Sequence, residues 1–391
     1  MADISKLEQQ ESFADEYGDR IAEWDLVAVE IICREIGKIG KMTPEEAKKY
    51  DAEKHAKKTE KAILMALTTA VLLNTKSLKK IFSEAFEQIH NESKYLYEYR
   101  GVPFVDIVDD KTAQKIIKQF AKKTGADFLD IAKTKAIKVI NAEGKPIALR
   151  QSILKSFDDA SALIGSKTDF YSAMRKSVLE LGGSGMRVEY PNGLTRRLDT
   201  VVRQNLLYNV KMASAEYSRA IGEELNCDGI EISFSRNPRP THRFMEGKQY
   251  AKYHGREVNG VYYEGAEDMG VYERLYEDYN CNHRETPIIL GVSVPAYSAE
   301  ELARLKAENE KKFTINNVTG DGYFWSQRLR HLETETRKAK DQINALRAFG
   351  NSQSEISDLN KKVKAYRAKY DEICDTVGVK PDYKRMSVIK R

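Results

Sequence analysis

Two polar stretches hold the side chains best suited to coordination or catalysis. The first, "RPTHRFMEGKQY" at residues 239–250, contains His242; the second, "YNCNHRETP" at residues 279–287, contains Cys281 and His283 one residue apart. Thiolate and imidazole suit zinc, which takes four ligands, or three and a water. His242, Cys281 and His283 are therefore the candidate metal set, with His254 as a further donor, although no C-x-x-C pair accompanies them. The same residues suggest two chemistries. A metal-dependent nuclease would use His242 or His283 as general base with Asn282 and Glu285 nearby, and a cysteine-based transferase would use Cys281 as nucleophile. Neither comes with a visible partner that would tune it. The reading adopted is structural, with no catalytic residues and no cofactor. His242, Cys281 and His283 are expected close together because their loops adjoin in one α+β core. They would tie those loops by hydrogen bonds, with Arg239 and Glu246 contributing, since irregular segments must satisfy their buried backbone groups. Zinc on the three side chains is the alternative.

The elements that must carry these loops are mostly helical. Phe13, Tyr17, Ile21, Trp24, Ala28 and Ile31 recur every three or four residues, one apolar stripe on one helix face. "KMTPEEAKKY" starts another helix, with Thr43 as N-cap and Pro44 in the first turn. The apolar run at 62–73 is too short to span a bilayer and reads as a buried helix. The aromatics Phe82, Phe86, Tyr95, Tyr97 and Tyr99 read as core. Residues 111–180 read as several short helices, with Gly125 as a terminator. Near Gly182 the pattern changes. "GGSG" at 182–185 lacks the Lys-Ser/Thr of a phosphate loop, and Pro191-Asn192-Gly193 marks a hairpin. Asp199 then caps a helix with Val202, Leu206, Val210, Ala213, Tyr217 and Ile221 on one face. "DGIEISFS" at 228–235 reads as a strand, and the Gly- and Tyr-rich stretch between the two polar loops as short strands. Near the end, Leu329, Leu332, Thr336, Ala339, Ile343 and Leu346 form one stripe. Ile356, Leu359, Val363, Tyr366, Tyr370 and Ile373 form a second, across a turn with Gly350 as stop and Ser352–Glu355 as capping box. These predict an antiparallel helical hairpin. The fold class is α+β, predominantly helical.

Bulk properties narrow the function. A length of 391 residues allows two or three domains, and a net charge of +5 against 64 basic and 59 acidic groups is no nucleic-acid binder's footprint. Four scattered cysteines show no disulfide framework, so a reducing site of synthesis is expected. The polar, acidic N-terminus carries no secretory pattern.

The order of segments carries a resemblance. "DFYSAMRKSV" precedes the Gly-x-x-x-x-Tyr-x-x-Gly hairpin "GMRVEYPNG"; then follow "LDTVVRQNLLYNV", "DGIEISFSRNPRPTHRFMEGKQY", "YNCNHRETPIILGVSVPAY" and "YFWSQRLRHLETETRKAK". The chain resembles the phage minor capsid protein 2 family, relatives of the Mu-F-type head morphogenesis proteins, most strongly over about residues 170–340. The resemblance implies a helical N-terminal region at 1–165 that makes portal or capsid contacts, a Mu-F-like α+β core at 166–320, and the helical hairpin and tail at 321–391. It implies a virion protein present in few copies, made in the host cytoplasm. Such a protein sits at the portal vertex or inner head surface and acts in head assembly or DNA packaging and delivery. Its partners would be the portal protein, the major capsid protein, or both. Packaged DNA would be touched only through non-specific phosphate contacts, and no membrane is involved. Trp24, Tyr95, Tyr97 and Tyr99 are the aromatics expected to supply contacts in the N-terminal region.

Overall fold

The computed structural model describes residues 4–71, 75–133, 137–141, 143–162, 164, 179, 182–183, 185–277, 281, 283–349 and 353–388. The segment "DFYSAMRKSV", Asn282, Gly350 and Ser352 fall outside the described residues. Two units emerge from the packing of the chain. One gathers Met1–Ala14, Leu73–Ala126 and Gln204–Arg328; the other gathers Asp15–Leu72, Asp127–Arg203 and Leu329–Arg391. As expected, the architecture is predominantly helical α+β with short antiparallel strands. Among the described residues no helix is long and apolar enough to cross a membrane.

The first unit holds both polar loops. Its helix Thr75–Arg100 buries Leu78, Phe82, Ala85, Phe86, Ile89 and Leu96, a three-to-four spacing that keeps one face apolar. The helix Leu198–Glu224 contributes to this unit from Gln204 onward, with Leu206, Val210, Ala213, Tyr217 and Ile221 all buried, as their spacing predicts. Phe86 stacks on Tyr217 with ring centroids 4.6 Å apart and planes within 5°. These helices support an antiparallel sheet of three strands among the described residues. Gly229–Ile232 lies in the middle, with Gln249–Ala251 on one side and Glu285–Ile288 on the other. The middle strand is buried along its whole length. Gly229 is demanded there, because a Cβ would stand 2.8 Å from the carbonyl oxygen of Tyr250. Register fixes what happens at the strand ends. Ile232 pairs with Glu285 and Glu231 with Gln249, so the chain leaving Ile232 and the chain entering Glu285 meet at one end of the sheet. Further on, Arg256–Val258 and Val261–Tyr263 form a hairpin through Asn259 and Gly260, at φ 53° and 76°. That is the left-handed pair a two-residue turn of this kind requires.

The second unit combines helices with a four-stranded antiparallel sheet, counted among the described residues. Its strands run in the order Pro146–Ala148, Ile137–Ile140, Arg187–Glu189, Thr195–Arg197. Thr43 caps the short helix Pro44–Lys48 in a full capping box with Glu46, with Pro in the first turn. The hairpin about Pro191–Gly193 forms as predicted, with Gly193 at φ 78°. Near the C-terminus, Tyr370 on the helix Gln353–Val377 donates its hydroxyl to Glu333 on the helix Gly322–Phe349. The two residues lie about equally far from the turn, which is the pairing of an antiparallel helical hairpin.

Five expectations need correction. Tyr95 and Tyr99 are not core but 41% and 56% exposed, and the apolar run at 62–73 is not buried throughout, since Ile63 and Leu67 are buried while Met65 is exposed. Gly125 does not end a helix: Lys111–Lys133 runs through it. Phe120, Ala121, Thr124, Phe128 and Ala132 are buried along one stripe, and that burial outweighs a single glycine's cost of about 1 kcal/mol. Residues 137–148 are a strand pair, not short helices. Asp199 lies inside the first turn of Leu198–Glu224 and turns toward Arg197 and Arg337. Arg197 is also 3.7 Å from Asp25 and 3.0 Å from Asp341, a buried cluster of three carboxylates around one guanidinium.

Candidate functional site

The sheet end described above delivers both polar loops to one place. From Ile232 the chain runs through a single 3-10 turn, Pro240–His242, in which Pro240 presets the backbone and His242 turns inward. It returns at Gly247, whose φ of 64° suits glycine and whose amide donates to the carbonyl of Ile232. On the other side, the amide of Arg284 donates to the hydroxyl of Ser233, holding His283 beside the same strand end. Lys211, on the helix Leu198–Glu224, donates through Nζ to the carbonyls of Leu275 and Cys281 and so clamps the segment that carries the cysteine.

The three candidate side chains converge. Their ligand atoms all lie within 4.8 Å of one another. His283 is central: its Nδ1 is 3.5 Å from Nδ1 of His242 and 3.5 Å from Sγ of Cys281. Its Nε2 donates to Oε1 of Glu246 at 3.0 Å, and the same oxygen accepts from the amide of Ser235 at 3.0 Å. The other carboxylate oxygen of Glu246 is buried and makes no hydrogen bond. Burial alone would push the Cys281 thiol up. Hydrogen bonds from His242 and His283 and the charge of Lys211 outweigh it and bring the thiol down to about 5. Burial pulls His283 the other way, yet its bonds to Cys281 and Glu246 raise it. The two shifts run in opposite directions, the thiol toward its charged form and the imidazole toward its protonated one.

A thiolate backed by histidine and glutamate is also the order of groups in a cysteine nucleophile. Exposure decides against that use: Cys281 is 7% exposed, His283 3%, His242 2% and Glu246 1%. Among the described residues, little of the cysteine reaches solvent. The same unit contains a pocket of about 360 Å³ lined by residues such as Arg219, Lys252, Tyr272, Tyr276 and Glu285, and none of the three convergent ligands lines it. Glu285 accepts from Arg219 at 3.1 Å and faces this pocket, so it is not part of the histidine–cysteine cluster. His254 also stands apart, exposed and hydrogen-bonded to Asp268 at 2.8 Å. Asn282 lies outside the described residues. The contribution expected of Glu246 is present as a direct bond to His283. Lys211 was missed by sequence reasoning; it sits on a distant helix, and no local pattern marks its role.

The family model described as phage minor capsid protein 2 matches residues 20–374. No curated protein and no solved structure matches the chain.

Proposed function

Because the chain belongs to the phage minor capsid protein 2 family, we propose that it works at the portal vertex or the inner surface of the head, in head assembly or in DNA packaging and delivery. It is a structural component of the phage virion, and its contacts are with other head proteins. The observation that carries the reading is the extent of the match. Residues 20–374 of 391 take in most of both units, not one grafted module. In this account the protein is made in the host cytoplasm, joins the head in few copies, and acts as a structural part and not as an enzyme.

Exposed apolar side chains suggest where a head protein docks. On the helix Thr75–Arg100, Tyr95 and Tyr99 remain 41% and 56% exposed. Tyr95 donates its hydroxyl to Ser293 at 3.0 Å, and the neighbouring Val292 and Val294 are 40% and 86% exposed. Tyr95 and Tyr99, one helical turn apart, and the two valines that flank the Ser293 partner of Tyr95 are exposed apolar side chains of the kind interfaces use. Trp24 and Tyr97 are not among them. Both are buried, Trp24 donating to the carbonyl of Ile63 and Tyr97 to the carboxylate of Glu224. The portal protein is the first partner in this account and the major capsid protein the second. Exposed Lys362, Lys364 and Lys369 supply non-specific phosphate contacts to packaged DNA, which weaken with salt.

Capture of the tagged full-length chain from infected cells tests this reading. The portal protein is expected in the eluate in wild type and depleted when Tyr99→Asp and Val294→Asp are combined. An eluate with neither portal nor major capsid protein contradicts it.

A further inference from the structure

We propose that Nδ1 of His242, Sγ of Cys281 and Nδ1 of His283 bind a single tetrahedrally coordinated zinc ion. All three donors lie within 4.8 Å of one another, and the two separations at His283 are those of neighbouring corners of a zinc tetrahedron. With zinc–nitrogen bonds of about 2.0–2.1 Å and a zinc–sulfur bond of about 2.3 Å, tetrahedral angles require nitrogens about 3.3–3.4 Å apart and nitrogen about 3.6 Å from sulfur. The two Nδ1 atoms are 3.5 Å apart, and Nδ1 of His283 is 3.5 Å from Sγ of Cys281. For a nitrogen-to-nitrogen hydrogen bond that separation is long, against a usual value of about 2.9–3.0 Å.

The surrounding bonds orient the ligands for the same purpose. Nε2 of His283 donates to Glu246, which leaves the lone pair of a neutral imidazole on Nδ1, directed at the other two donors. A carboxylate behind a metal-bound histidine is the usual outer partner that fixes its tautomer. Three electron-pair donors meeting at one point need a cation between them. A zinc ion serves all three at once. Charge also balances, since one divalent ion meets the Cys281 thiolate and the Glu246 carboxylate behind His283. Two imidazoles and a thiolate favour zinc over the hard, oxygen-seeking cations magnesium and calcium. Burial of all three ligands indicates a structural ion that pins two loops to one strand end, 41 residues apart between the histidines. The fourth corner falls to water, as in three-ligand zinc sites.

The test uses the full-length chain, purified without a histidine tag. Metal content is measured by mass spectrometry of the elements, and metal-stripped chain is titrated with cobalt(II). Stoichiometric zinc is expected, and a cobalt spectrum with the intense visible bands of tetrahedral geometry and a near-ultraviolet thiolate-to-cobalt band. Cys281→Ser removes the thiolate band, and His254→Ala leaves it unchanged. Glu246→Gln keeps the band but lowers zinc affinity by about 10–100-fold. If Cys281→Ser does not fold, the wild-type cobalt spectrum and a chelator-induced drop in melting temperature carry the test. Wild-type chain with only trace zinc, no thiolate band on cobalt and a melt indifferent to chelator would overturn the proposal.

Discussion

Asp25→Asn should remove a pH dependence that the second unit carries in its buried charge cluster. Burial, together with the charges of Asp199 and Asp341, raises the Asp25 carboxyl from 3.8 to about 8 despite the opposing pull of Arg197. One of its oxygens accepts from the amide of Met186, and the other has no hydrogen-bond partner. A carboxyl raised in this way keeps a proton in the native state that the unfolded chain releases. Stability therefore falls as pH rises from 3.8 toward 8 and levels off above. One proton is worth about 1.36 kcal/mol per pH unit, so wild type should lose about 2 kcal/mol between pH ~6 and ~8 through this group. Asparagine carries no titrating proton and keeps an oxygen for Met186. The difference in unfolding free energy, variant minus wild type, should grow by about that amount over the same interval, while groups that do not interact with Asp25 cancel. Trp24 is the adjacent residue and is buried, so its fluorescence in urea, read in a Trp325→Phe background, reports on this unit. A difference that stays constant across the interval would refute the assignment of the proton to Asp25.

Two further perturbations test the packing. Leu346 is fully buried, so Leu346→Ala should cost about 2–5 kcal/mol in urea unfolding, whereas half-buried Val363→Ala should cost less than about 1 kcal/mol; equal costs would contradict the one-sided burial of the C-terminal hairpin. Gly229→Ala forces a Cβ against the carbonyl of Tyr250 and the side chain of Leu290, so it should destabilise the chain by about 1–3 kcal/mol. A melting temperature unchanged from wild type would show that this strand can shift freely.

Sequence periodicity located faces better than it located covering partners. The stripe from Leu206 to Ile221 is buried throughout, so there the face that spacing marks is also the face that is covered. In the last helix the same spacing marks Ile356, Val363 and Tyr366, yet these are only half-buried while Leu359, Tyr370 and Ile373 are buried. Spacing shows which residues share a face, not how much of that face another element covers. Alternation at Ile137 and Val139, both buried with Lys138 between them, was a readable strand signal that the surrounding helical pattern obscured. The convergence of His242, Cys281 and His283 followed from adjacent loops, and their residue types announced the chemistry. Arg197 with Asp25 and Asp341 was not legible at all. Its partners lie 172 and 144 residues away in sequence, and each charge read alone as ordinary surface.

The placement of this protein in the head is tested most directly by counting it. Purified mature virions and empty proheads, each digested and quantified against labelled peptides, give its copy number relative to the portal and major capsid proteins. A protein of the portal vertex should be present in both, at a level near that of the portal subunits and far below that of the major capsid protein. Its absence from both particles, or a copy number tracking the capsid lattice, would contradict a role at the portal vertex.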